Sequence, residues 1–258
     1  MDRRIGAQYY TIKNHAKTIG EFDVACKRVA DIGYKIVQIS GVNHDARAMR
    51  EILDKYNLEV VTTHRSYEDF LKNPDEVIEY NKILGSDLCG IDAMPEDYRG
   101  SNEKTTQFLK ETSQICEVLK KENMYFGYHN HTFEFEKNDG ITAFERFVEE
   151  TDPSVFQFIV DTYWLQLSGK NPADIIRMLG KRAMVVHFKD IKIKSSELRT
   201  PLMGEVGHGT MDWDPIIAAC NEAGVRYAIV EQDKHHIDDD PFLALSMSYE
   251  YLKTKGFC

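Results

Sequence analysis

The chain lacks the marks of a disulfide framework or a thiolate metal site: its five cysteines, Cys26, Cys89, Cys116, Cys220 and Cys258, are odd in number, widely spaced and contain no CxxC pair. It also lacks any apolar run approaching the roughly 18–20 residues that span a bilayer. Its N-terminus, MDRRIGAQYY, enters a strand-like segment without a signal-peptide core. The expected location is therefore cytoplasmic, with no membrane partner. No glycine-rich cradle of the P-loop or dinucleotide type occurs, so nothing demands a nucleotide. An excess of positive charge is missing too. The formal net charge of −10 opposes association with a phosphate backbone, where affinity comes from Lys and Arg, and favours a small-molecule substrate over a nucleic acid.

What is present is a 258-residue chain, 42% hydrophobic and 29% charged, with no linker or low-complexity tract to divide it. That composition is ordinary for a globular protein. The length is that of one eight-fold β/α barrel. Short β-branched or aromatic runs alternate with longer amphipathic stretches throughout, the grammar of a parallel sheet covered by helices. Strands are expected at 5–10, 35–40, 59–64, 87–92, 124–130, 155–161, 183–189 and 227–233. Helices are expected at 22–32, 46–56, 76–84, 105–121, 143–150, 173–179, 216–223 and 243–252. Gly33, Gly85, Gly180 and Gly224 mark helix exits. Asn73-Pro74, Asn171-Pro172, Asp214-Pro215 and Asp240-Pro241 mark helix starts, whereas Asp152-Pro153 precedes a strand and reads as a turn. The fold expected is a single (β/α)8 TIM barrel over residues 1–258. The longest irregular stretch, 190–212, follows the seventh strand, and a loop of that length is usually functional.

Each of the last four strands ends in a residue able to bind a divalent metal. They are a His/Glu group at 129–134, then Asp161, His187 and Glu231. Residues two apart share a face of a strand, so Asp161 crowns a column with Ile159, His187 shares a face with Val185 and Lys189, and Glu231 with Ile229 and Asp233. In a parallel barrel these groups converge at the carboxyl-terminal rim, where such folds place their chemistry. Carboxylates with imidazole suit Mn²⁺, Co²⁺, Zn²⁺ or Mg²⁺, and the carboxylate share favours manganese. Gln8 and His64 end strands at the same mouth, Trp164 follows Asp161, and His208 and Glu205 sit in the long loop.

Seven segments carry a family resemblance: GAQYYTIK at 6–13, IGYKIVQISG at 32–41, YHNHTFEFE at 128–136, VDTYW at 160–164, VVHFKD at 185–190, GEVGHGTMDW at 204–213 and IVEQD at 229–233. Together they resemble the xylose isomerase-like TIM barrels of the sugar phosphate isomerase/epimerase family over essentially the whole chain. The resemblance implies one divalent metal held by Glu, Asp, His and Glu, with two glutamates moving a substrate proton. Asp161, His187 and Glu231 match position by position. At the fifth strand a direct match gives His129, and Glu134 is taken as the ligand, with His129 and His131 nearby as ligands or acid/base groups.

On that basis the expected activity is sugar isomerisation or epimerisation by α-proton abstraction, Glu231 or Glu134 being the base and Lys189 and His131 assisting. Gln8, His64, His129, Trp164 and His208 would bind the sugar. A lyase or dehydratase acting on a keto-sugar, keto-glycoside or inosose begins with the same step. More remote are a non-catalytic sugar-binding barrel and an apurinic endonuclease, whose extra histidine is replaced here by Trp164. A homo-oligomer is compatible with all of these.

Overall fold

The computed structural model describes residues 1–194 and 201–258. Eight parallel strands close into a barrel: β1 (Ile5–Gln8), β2 (Ile36–Ile39), β3 (Glu59–His64), β4 (Leu88–Ile91), β5 (Tyr125–His129), β6 (Phe156–Asp161), β7 (Ala183–Phe188) and β8 (Tyr227–Val230). Each pairs with its sequence neighbours, and β1 closes on β8. Almost every strand residue is buried, because one face fills the barrel and the other packs on helices. This is why the strands read as continuous apolar runs rather than alternating ones.

Inside the barrel, Ile36, Val61, Leu88, Ile159, Met184, Val185 and Ile229 form a compact plug. Space there is tight: a Cβ on Gly90 would lie 2.7 Å from the His64 ring and 2.9 Å from Ile159. The absent side chain is what lets His64 lie over the plug. A second, larger core fills the layer between strands and helices.

The helix starts follow the side-chain chemistry. Thr18 with Glu21 and Thr142 with Glu145 form reciprocal caps, and Asn171 and Asp240 accept from the first-turn amides of the helices opened by Pro172 and Pro241. At Asp214-Pro215 the helix begins earlier, at Trp213. Two short helices were not expected, Tyr67–Lys72 and Thr162–Leu167. The latter starts because the Asp161 carboxylate accepts from Trp164 N at 3.1 Å, so one aspartate both ends a strand and caps a helix.

Part of the expected long loop is ordered: Asp190–Lys192 and Leu202–Gly204 pair as an antiparallel ribbon, while its residues 195–200 lie outside the described ones. The ribbon and the turn after it are held by the buried Asp190. Its carboxylate accepts from the backbone N of Ile191, Gly207, Gly209 and Met211, at 2.8, 2.9, 3.2 and 3.1 Å, and from Trp213 Nε1 at 2.8 Å. Removing it strands five donors away from water, and each unmet partner of a charged acceptor costs about 1–3 kcal/mol. Asp190→Ala should therefore lower the unfolding free energy by about 3–5 kcal/mol, measured by denaturant titration. A loss below about 1 kcal/mol would show that the turn holds itself.

Candidate metal centre

The pairing register places the rim groups. Asp161 lies directly across from His187, His129 across from Ile159 two residues below Asp161, and Ile229 across from His187 two residues below Glu231. Strand tilt in the barrel turns this stagger into one layer. There His129, Asp161, His187 and Glu231 are all buried, with one ligand atom from each lying within 4.8 Å of the others. No other such group occurs among the described residues.

This arrangement brings His129, and not the expected Glu134, into the cluster. Tyr128 points outward, against Phe147 and Phe156, so the next residue, His129, must point inward. The chain then turns away, and the buried Glu134 carboxylate is taken up by Tyr128 OH at 2.7 Å and His131 N at 2.8 Å. It braces the loop and stands outside the cluster. Burial pushes its acid up to about 7, from an ordinary 4.5, against those two hydrogen bonds.

The sign of the pH effect follows. Glu134 holds its proton more tightly folded than unfolded, so this contribution to stability is complete below pH 4.5 and is lost as pH rises through about 7. The unfolding free energies of wild type and Glu134→Gln should accordingly diverge across that window by on the order of 3 kcal/mol, the glutamine variant lacking the loss. A pH-independent difference would contradict the assignment.

The donor set suits a divalent cation. His129 Nδ1 lies 2.9 Å from the carbonyl oxygen of Asp92. That oxygen can only accept, so Nδ1 carries a proton. His129 Nε2 then faces Asp161 Oδ2 at 3.2 Å and Glu231 Oε2 at 3.8 Å. A lone pair aimed at two carboxylates requires a proton or a cation between them. Among the protein groups alone the proton answers: burial opposes charge on His129, but Asp161 and Glu231 outweigh it and raise its pKa. Burial likewise works against ionised Asp161 and Glu231, yet Lys189 and the imidazoles hold both below the usual carboxylate range.

Lys189 completes the cluster from β7's end. Its buried ammonium lies 2.9 Å from Asp233, 3.3 Å from Glu231 and 3.5 Å from Asp161. Burial would discharge it, but these three carboxylates overcome that and keep it protonated. With His129 Nε2 unprotonated, as a cation there would require, three carboxylates against one ammonium leave a negative charge that a divalent ion would offset. Two imidazoles and two carboxylates form an N/O set open to zinc, cobalt or manganese.

Above the cluster lies a cavity of about 80 Å³, lined by Tyr10, Ser40, His64, Asp92, His129, His131, Lys189, Glu231 and Asp233. His64 Nε2 and His131 Nδ1 are buried without hydrogen-bond partners among the described residues, as are the side-chain nitrogens Gln8 Nε2, Asn130 Nδ2 and Trp164 Nε1. Burial lowers the pKa of both histidines, that of His131 to about 3, so both imidazoles are neutral near pH 7. Trp164 does not line the cavity itself but backs two residues that do, its ring 5.1 Å from that of His131 and 5.3 Å from Lys189 Nζ. Gln8 is buried below the rim, its oxygen accepting from Tyr10 N.

The loop residues fall elsewhere. His208 lies against Tyr251 of the last helix and does not line the cavity. Asp190 holds the His208 turn against that helix, away from the cavity. Glu205 is buried, accepting from Ile237 N and pairing with Lys192. Sequence reasoning missed Gln38, Asp92, Ser40 and Tyr10. Gln38 alone left a signal, a lone amide in the apolar run IVQI.

The structure is that of a TIM barrel with a buried His/Asp/His/Glu cluster at its rim that could hold a metal ion. The chain belongs to the xylose isomerase-like TIM barrel family, which it matches over residues 26–254. It is similar to an inosose dehydratase of Clostridium botulinum, 22% identical over 91% of this chain and 90% of that protein. Among solved structures it resembles a sugar phosphate isomerase/epimerase from Parabacteroides distasonis, with TM-score 0.77, 21% identity and coverage of 97% and 93%. It also resembles the probable 3-DHS dehydratase of Bacillus anthracis, with TM-score 0.75, 15% identity and coverage of 98% and 99%. Among the described residues no helix is long and apolar enough to cross a membrane.

Proposed function

We propose that the chain is a divalent-metal-dependent lyase that removes the α-proton of a keto-sugar or inosose and then eliminates a β-hydroxyl as water. The observation that carries this reading is the displacement of Glu134. The two-glutamate proton exchange that the family resemblance implies needs both Glu134 and Glu231 at the substrate carbon, and of the two Glu231 lines the cavity. The dehydratase name of the curated relative points the same way.

His129, Asp161, His187 and Glu231 would hold the cation, Mn²⁺ or another divalent ion, which when bound supplies a Lewis acid for the carbonyl and lowers the cost of carbanion formation. Glu231, ionised and facing the cavity, takes the α-proton. Lys189, a fixed ammonium 3.3 Å from it, stabilises the negative charge that develops on the substrate oxygen. One C–H and one C–O bond break, one C=C bond forms, and the proton on Glu231 leaves with the hydroxyl as water. A neutral His131 is too weak an acid for that step. His131 and His64, which line the cavity, instead offer their unpartnered nitrogens to substrate hydroxyls. This surplus of unmet polar groups suits a substrate rich in oxygens.

Isomerisation is the second reading, and one observation favours it. Asp233 also lines the cavity, its Oδ1 is buried without a partner, and burial beside Glu231 raises its pKa. It is a second carboxyl in the cavity able to return the proton. The deciding experiment incubates the Mn²⁺-loaded protein in D₂O with inososes, ketoses and 3-keto-glycosides. Loss of water with a new conjugated-enone absorbance is expected, whereas deuterium incorporation with a C-epimer and no enone would reject the lyase reading.

A further inference from the structure

Behind His187, on the side away from Glu231, stands Gln38 of β2. Its side chain shares the barrel-interior face with Ile36, is fully buried, and brings Oε1 to 2.7 Å from His187 Nε2. On its other side the His187 ring presents Nδ1 to Glu231 Oε2 at 2.9 Å. Gln38 Nε2 is buried without a partner among the described residues, and with Oε1 toward the ring the amide accepts, which puts the proton on Nε2 and leaves the Nδ1 lone pair facing Glu231, an arrangement that a cation between them would complete. His129 is oriented by the same device, with the Asp92 carbonyl behind it. The pairing of β2 with β3 shifts register between Val37 and Gln38, the kind of irregularity that re-aims a side chain beside a site.

We infer that Gln38 is a positioning residue that sets the tautomer and ring orientation of His187 for cation binding. The inference rests on the proposed metal site. Gln38 makes no hydrogen bond to a rim carboxylate among the described residues, and its side chain pairs with the imidazole. Outer partners of this kind are worth about 10–100-fold in metal affinity. Gln38→Leu removes the acceptor and keeps the bulk, whereas Gln38→Glu keeps an acceptor at the same reach and strengthens it.

The test is the Co²⁺ and Zn²⁺ affinity of wild type and both variants, by chelator competition, with Co²⁺ absorption spectra and melting in EDTA alongside. Expected are a loss of about 10–100-fold in Gln38→Leu, a changed Co²⁺ spectrum, and wild-type or tighter affinity with a wild-type spectrum in Gln38→Glu. Equal affinity in Gln38→Leu and wild type would overturn the role while leaving the metal site standing. Equal losses in both variants would also overturn it, since any buried change would then do the same. Should Gln38→Leu not fold, Gln38→Glu decides: retained affinity supports the role and a loss beyond about 10-fold rejects it. Absence of metal binding in wild type would fail the site itself, and this inference with it.

Discussion

Glu231→Gln is expected to abolish turnover and to bind its cation at least about 100-fold more weakly than wild type, exceeding the loss typical of outer-shell changes. The variant is nearly isosteric, so packing around β8 survives. What it loses is charge. Glu231 Oε2 lies 2.9 Å from His187 Nδ1, 3.3 Å from Lys189 Nζ and 3.8 Å from His129 Nε2, so three groups lose their common anion at once. An amide is no base, and a general base alone is typically worth about 10²–10⁴ in rate. Metal content by elemental analysis and turnover at saturating metal separate the two losses. If excess Mn²⁺ restores full turnover to Glu231→Gln, the carboxylate is a ligand only and the base lies elsewhere, with Asp233 next in line.

The second large effect distinguishes His129 from Glu134. His129→Ala removes one of four convergent donors and should cost about 100-fold or more in metal affinity, with little change in folding because the side chain borders the cavity. Glu134→Gln should leave metal affinity within about 3-fold of wild type, since its carboxylate spends both oxygens on Tyr128 and His131 N. The amide can keep an acceptor toward one of them. Isothermal titration with Zn²⁺ on both variants reads the contrast directly. The reverse result, in which Glu134→Gln loses the metal and His129→Ala keeps it, would mean that the loop turns its carboxylate inward when the ion binds.

The two ligand positions show where reading the chain succeeds and where it stops. The strand expected at 59–64 is Glu59–His64, and those expected at 155–161 and 183–189 are Phe156–Asp161 and Ala183–Phe188. Such strands are legible because burial on both faces writes them as unbroken apolar runs. Asp161, His187 and Glu231 were legible for a related reason: each is the first charged or ionisable group after such a run. The helices Tyr67–Lys72 and Thr162–Leu167 were not, being one or two turns long and started by a single capping side chain.

Local sequence thus determined the barrel, the order of its strands and three of the four convergent groups, because periodicity and burial act within a few residues. Tertiary structure decided the rest. Whether position 129 or 134 faces the interior depends on where Tyr128 finds its aromatic neighbours and where the following loop turns, and neither is written in YHNHTFEF itself. Gln38 meets His187 across 149 residues of chain, and Lys189 meets Asp233 across 44. Such contacts are set by barrel closure and strand register, which bring distant side chains together only once the whole sheet has formed.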